Sequence, residues 1–423
     1  MKLNVFLLDK FVGTLATTSN RGIVFQYDSH YLEHDTLPLS LSLPLSAEEY
    51  SQDECLPYFS GLLPEGSIRS QVSNYFHISE TSIIKLLALL GGECSGTVTL
   101  FNNDEIDIES AKQKKLSSWK LTEDNYKVIT EEEIAKHIRI TGIKPLIVFD
   151  HNMKQTLAGA QTKVSLAYFD NKWHVPLNGA PSTHILKPAI NNYEDLAANE
   201  FICMRLAENF GINVAPSFLS KFDGIPVYIT KRYDRAIDFE NNTIKRLHQE
   251  DFCQSLGIFD FNKYQADGGP SLLDSYNLIK TNCTNLIENT NQFVSILIFN
   301  YLIGNCDSHG KNFSLLFRKD KNPILSPFYD LVSTIIYPGL SDKMAMKIGG
   351  QYKFNKIFKD HILDQASLMG LSLKFFLNKI KSYKEKYLDA FSVIEGLEEL
   401  KEYQSTIASI KNVFEEQLRK LQA

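Results

Sequence analysis

The sequence predicts an α+β fold, with strands concentrated in the first two-thirds of the chain and helices dominating the remainder. Three observations predict it. Short apolar, β-branched and aromatic segments recur between residues 23 and 233, two of them flanking the turn pair Asp170-Asn171. Runs with helical spacing of apolar residues occupy most of the chain from residue 272 onward. Hydrophobic residues make up 43% of the chain and aromatics 11%, enough for large cores and too much for a disordered chain.

Residues 23–27 (IVFQY) are a strand by composition, and residues 39–43 (LSLSL) alternate strictly, which predicts a half-buried strand. The dense apolar run at 83–90 predicts a largely buried helix that Gly91-Gly92 ends. Residues 97–101 follow as a strand. The mixed-charge stretch 102–120 predicts a linker. Thr130 and Glu133 form a Thr-x-x-Glu capping box that opens a helix reaching about residue 138. Residues 157–161 form a small-residue loop, 163–169 and 172–175 a hairpin, and 183–188 a strand stopped by proline. A helix over 194–209 and a strand over 226–233 complete this part. No internal repeat stands out.

At 423 residues the chain has room for two or three domains, and these patterns divide it near 1–120, 121–270 and 271–423. Its 44 basic and 50 acidic residues leave a net charge of −6, which argues against a surface that grips nucleic acid or an anionic membrane over its whole extent. The opening apolar run is cut off by Asp9-Lys10, too early for a secretory leader, and no run is long enough to span a bilayer. The six cysteines are scattered without metal-ligand spacing, the usage expected of reduced thiols in a cytoplasm.

The chemistry-bearing stretch is GNCDSHGKNFS at 304–314, with the segment PFYD at 327–330 downstream. An Asp followed five residues later by an Asn, with a second Asp beyond, suits phosphoryl transfer. Asp307 would receive or orient the proton of an attacking hydroxyl, while Asn312 and Asp330 would hold magnesium against the phosphates. Upstream, Gly159 sits in a loop through which backbone amides can approach phosphates. Lys187 lies on a later strand and Glu200 on the following helix, where a carboxylate can pair with that lysine. The order is loop, hairpin, lysine, helix glutamate, strand, helix, catalytic loop, metal aspartate.

The chain resembles the HipA family of bacterial serine/threonine kinase toxins over nearly its full length. The resemblance rests on PLSLSLPL (38–45), FSGLLPEG (59–66), GGECSGTVTLF (91–101), LAGAQTK (157–163), HILKP (184–188), the pair NE (199–200), KRYDR (231–235), QEDFCQSLG (249–257), QADGGPS (265–271), IGNCDSHGKNFS (303–314) and SPFYD (326–330). It implies a two-lobed protein-kinase-like fold: an amino-terminal α/β subdomain, a nucleotide-binding lobe and a mostly helical carboxy-terminal lobe. It further implies that Ala158, Gly159, Ala160, Gln161, Thr162 and Lys163 form the nucleotide loop and that Lys187 is the ATP-phosphate lysine. Lys231, Arg232 and Tyr233 would be the hinge that meets adenine. Asp307 would be the catalytic base. His309, Gly310, Lys311, Asn312, Tyr329 and Asp330 would supply the remaining nucleotide and magnesium contacts. Thr156 stands where the family carries a self-phosphorylated serine, and Lys231 replaces an acidic hinge residue.

The cofactors so implied are ATP and Mg2+. The implied activity is phosphorylation of a cytoplasmic translation protein, an aminoacyl-tRNA synthetase such as glutamyl-tRNA synthetase, to stop growth. The implied partner is a HipB-like helix-turn-helix antitoxin. Residues 364–370 (DQASLMG) carry no Lys or Arg, so DNA would be met only through that partner. Two other readings are a corepressor subunit with weak or absent catalysis and a small-molecule kinase on the same scaffold. Intact Lys187, Asp307, Asn312 and Asp330 favour the protein kinase.

Overall fold

The computed structural model describes residues 1–19, 22–102, 119–141, 144–150, 152–189, 193–318 and 321–422. Most of the predicted linker, residues 103–118, lies outside them.

The amino-terminal part is an antiparallel sheet of β1 (Lys2–Leu7), β2 (Lys10–Thr17), β3 (Ile23–Tyr27) and β4 (Thr99–Asn102), in the order β3-β2-β1-β4. The opening apolar run is therefore β1, buried from Leu3 onward. Helices α1 (Ser29–His34), α2 (Gln52–Ser60), α3 (Gly66–Phe76) and α4 (Ile83–Leu90) contribute Tyr31, Phe59, Val72 and Leu87 to the core that the sheet shares. Helix α4 ends at Gly91, where a side chain would collide with the Leu87 carbonyl. Residues 39–43 are not a strand. Ser40 and Leu43 close a tight turn, Leu39 and Leu43 are buried, and the hydroxyls of Ser40 and Ser42 reach Glu250 and the Gln254 carbonyl. The alternation that reads as a strand is a turn in which core leucines alternate with serines that bond residues 250 and 254.

A six-stranded antiparallel sheet follows: β5 (Tyr126–Ile129), β6 (Val164–Phe169), β7 (Lys172–Pro176), β8 (His184–Pro188), β9 (Ser217–Phe222) and β10 (Ile225–Lys231), ordered β5-β7-β6-β8-β10-β9. Asp170 and Asn171 both have left-handed backbones, φ 50° and 55°, the geometry a two-residue hairpin turn needs. Helix α5 (Glu131–Arg139) starts at the predicted box: Thr130 accepts from the Glu133 amide at 3.2 Å, and the Glu133 carboxylate returns to the Thr130 amide at 2.9 Å. Helix α6 (Leu196–Asn209) packs on β9 and β10, yet its Phe201, Met204 and Leu206 belong to the same core as the later helices. It joins the two lobes.

The chain then forms β11 (Arg235–Asp238), β12 (Thr243–Arg246), β13 (Gln249–Asp251) and α7 (Phe252–Ser255), followed by α8 (Leu272–Asn282) and α9 (Leu286–Leu302). Next come β14 (Ser314–Arg318), β15 (Lys321–Leu325), β16 (Lys343–Ile348) and β17 (Gln351–Lys353), and finally α10 (Lys359–Leu368), α11 (Leu373–Glu395) and α12 (Gln404–Lys420). Strands β14–β17 interrupt the helical portion without an alternating pattern to announce them; β14 reads SLLFR and is buried on both faces until Arg318. Phe376, Tyr383 and Phe391 are core of this lobe, as their helical spacing predicts. All six cysteines are free thiols, and none of the described helices is long and apolar enough to cross a membrane.

Candidate active site

A cleft of about 570 Å³ opens where the six-stranded sheet, the loop after α9 and the amino-terminal part meet. Residues 158–163, Lys187, Glu200, residues 231–233, Asp307, His309, Lys311, Asn312, Tyr329 and Asp330 all line it. Of the residues expected there, Gly310 and Thr156 do not.

Lys187 points inward from β8, opposite Tyr228 on β10. Its ammonium donates to Glu200 Oε1 at 2.6 Å and to Asp330 Oδ1. Burial works against that charge, but the Asp330 and Glu200 carboxylates outweigh it and hold Lys187 above the ordinary lysine value. Asp330 in turn is held well below the usual carboxylate range: burial opposes its charge, and Lys187 and Lys163 overcome that. Glu200 is 1% exposed, and burial pushes it up to about 7 despite Lys187. The Asp330 backbone is left-handed, φ 61°.

The loop before β6 wraps a second ammonium. Gly159 has φ 103°, and a Cβ there would stand 2.6 Å from Lys163 Nζ. No described carboxylate forms an ion pair with Lys163, and burial pushes it down to about 8. The loop is seated on the amino-terminal part. The Glu65 amide donates to the Gly159 carbonyl at 3.1 Å, and the Thr156 amide donates to the Glu93 carbonyl at 2.8 Å. Thr156 is 0% exposed, and its hydroxyl donates to the Leu62 carbonyl at 2.6 Å.

Asp307 sits on a loop braced from α9. Asn300, a polar residue within an apolar helix, donates to Ser308 at 2.8 Å and accepts from Asn305 at 3.0 Å. Asn305 then accepts the Asp307 amide at 3.2 Å, and Asn312 Nδ2 donates to the Asp307 carbonyl at 3.0 Å. This leaves the Asp307 carboxylate exposed at the cleft, taking a 2.5 Å bond from the Tyr264 hydroxyl. His309 is buried beside it, and burial pushes its imidazole down to about 4, so it is neutral at neutral pH. Gly310 lies behind the loop, where a side chain would meet Pro270 and Cys253.

Two of the residues expected to meet nucleotide line the cleft with side chains that bond protein groups. The Lys311 ammonium donates to Asp251 at 2.8 Å and to the Gly61 carbonyl at 3.0 Å. The Arg232 guanidinium turns into a buried cluster with Glu93, Asp234 and Arg235, bonding Asp234 at 2.8 Å and Glu93 at 3.1 Å. The Lys231 side chain is exposed. The Tyr233 and Tyr329 rings stack with centroids 6.0 Å apart.

Pattern reading leaves four residues unassigned: Glu65 and Lys263, which line the cleft, and Glu93 and Tyr264, which bond residues that line it. Glu65 and Glu93 fall within resembling motifs, so their position was signalled but not their role. Tyr264 lies 43 positions from Asp307 and carries no local signal.

Asp330 and Asn312 offer a carboxylate and an amide oxygen at the cleft, hard donors that suit magnesium. No three His, Cys, Asp or Glu side chains gather as a metal cage among the described residues. Phosphate oxygens and water would have to complete the shell, as they commonly do for magnesium.

Family comparison matches residues 3–101 to the HipA N-terminal domain and residues 155–379 to the HipA-like C-terminal domain. Y4mE of Sinorhizobium fredii, provisionally named a kinase, is 35% identical over 94% of this chain and 93% of its own length. The serine/threonine-protein kinase toxin HipA of Shewanella oneidensis is 25% identical, covering 90% of this chain and 86% of its own. In structure, the chain is similar to HipA in the Shewanella oneidensis complex of HipA, HipB and operator DNA. The TM-score is 0.83 at 23% identity, over 98% of this chain and 96% of that one.

Proposed function

The chain belongs to the HipA family, and we propose that it is an ATP-dependent protein serine/threonine kinase of the toxin type. The observation that carries this reading is Lys187 held between Glu200 and Asp330 in the same cleft that exposes Asp307. A buried ammonium facing a cleft between two carboxylates favours catalysis over a corepressor role alone.

In the proposed reaction Lys163 and Lys187 bind the phosphate chain, which competes with Asp330 for Lys187. The Tyr233–Tyr329 stack and the backbone of 231–233 flank the base. Asn312 and Asp330 are the residues that would hold magnesium, whose chemistry is to neutralise charge on the phosphates. The acceptor hydroxyl attacks the γ-phosphorus, its proton passes to the Asp307 carboxylate, and ADP leaves. The acceptor class is a cytoplasmic translation protein, with an aminoacyl-tRNA synthetase as the first candidate.

A HipB-like antitoxin is the proposed partner, with DNA met only through it, because the stretch 364–370 at the end of α10 offers no cation. Thr156 is the proposed self-phosphorylation site. Its hydroxyl must first leave the Leu62 carbonyl, so modification and loop release would occur together. The test is incubation of the purified protein with γ-labelled ATP and a cytoplasmic lysate. A labelled translation protein is expected with the wild type and none with Asp307→Ala; equal labelling by both proteins would reject the assignment.

A further inference from the structure

We propose that Tyr264 is a gate on the kinase site, its phenol occupying the place on Asp307 that an acceptor hydroxyl must take. This inference rests on the kinase reading above. Tyr264 Oη donates to Asp307 Oδ1 at 2.5 Å, the bond an acceptor hydroxyl would make as it gives up its proton. Asp307 lines the nucleotide cleft and Tyr264 does not, so the phenol approaches the carboxylate from outside the nucleotide space. That is the side from which a protein acceptor must come, because the cleft itself is the space for nucleotide.

The gate is held in place at three points. The Lys263 ammonium bonds Glu65 of the amino-terminal part at 2.8 Å. The Lys263 carbonyl accepts the Gly310 amide of the catalytic loop at 3.2 Å. The Tyr264 ring meets the His309 ring edge-on at 5.2 Å. The phenol is thus aimed at Asp307 by packing, while the ring, half-buried, can swing away by side-chain rotation. A short bond to a charged acceptor is among the stronger hydrogen bonds. An acceptor that binds its own contacts well can displace it, whereas a water molecule gains little by doing so. The gate therefore suppresses ATP hydrolysis by water and favours acceptors that carry a docking surface. In that side reaction water attacks the γ-phosphorus, its proton passes to Asp307, and ADP and phosphate are released.

The test is Tyr264→Phe, which keeps the ring against His309 and removes only the donor. ADP release from Mg-ATP without acceptor and ATP affinity by titration calorimetry are measured on the full chain. A rise in hydrolysis of threefold or more with unchanged ATP affinity and melting temperature is expected. ATP bound equally by both proteins with hydrolysis unchanged or lowered overturns the gate and leaves the kinase reading standing; lowered hydrolysis would make Tyr264 a support for the base. If neither protein binds ATP, the kinase reading falls and the gate falls with it.

Discussion

Lys163 carries a cleft charge that responds to alkaline pH. Its side chain is half-buried with no described carboxylate in ion-pair contact, and desolvation lowers it to about 8. The charged form binds phosphate, so its contribution is full well below pH 8 and is lost as pH rises through that value. ATP affinity should fall by about fivefold between pH 8 and pH 9, and Lys163→Met should bind weakly at all pH values without that alkaline limb. Titrations across pH 6.5–9.5 decide this, and identical pH profiles for the two proteins would rule it out. Thr156 offers a second single-residue test. Thr156→Ala removes the donor to the Leu62 carbonyl at 0% exposure and should cost about 1 kcal/mol in denaturant unfolding. Intact-mass measurement after incubation with ATP should show one phosphate fewer on the variant than on the wild type.

Among the elements, those announced by local chemistry were legible. The capping box at Thr130, the Asp170-Asn171 turn and the end of α4 at Gly91 each require only neighbours in sequence. Helix α6 and strand β8 were legible too, and they set Lys187 against Glu200. The turn at residues 39–43 and strands β14–β17 were not, because burial against distant segments overrides their local pattern. The buried cluster of Glu93, Arg232, Asp234 and Arg235 was equally invisible: Glu93 meets the two arginines from more than 130 positions away. Glu93 Oε1 accepts from the Ser182 amide at 2.7 Å and from both arginines. Glu93→Gln would leave two buried guanidinium groups facing one carboxylate. The expected loss is about 3–5 kcal/mol in urea unfolding, the scale for breaking a buried ion pair. A loss below about 1 kcal/mol would mean that the cluster relaxes or admits water.

At the scale of the whole molecule, the amino-terminal part is fixed to the rest by buried polar groups. Arg69 bonds Asp260 at 2.6 Å, Ser60 bonds the same carboxylate at 2.8 Å, and His248 Nε2 donates to the Leu39 carbonyl at 3.2 Å. These junctions join residues some 190 to 210 positions apart, so motif reading could mark both ends without showing that they touch. Burial lowers His248 to about 4 from an ordinary value near 6.5. Its contribution to stability is complete above pH 6.5 and is lost as pH falls toward 4, because the unfolded chain takes up the proton first. Glu200 and Glu250, raised to about 7 by burial, act in the opposite sense over much of the same window, so whole-protein pH curves mix the two effects. The difference between His248→Gln and wild type isolates the histidine. It should shift in the variant's favour by roughly 1–3 kcal/mol from pH 6.5 to pH 4. A difference independent of pH would mean that His248 titrates normally in the fold.

The proposed chemistry is phosphoryl transfer in this cleft with Asp307 as base. It is tested most directly by measuring phosphoryl transfer from labelled ATP and ATP affinity side by side for wild type and Asp307→Ala. Transfer should fall by a hundredfold or more with affinity held within about threefold, since a base acts mainly in the transition state. Transfer by the variant at the wild-type rate would contradict it.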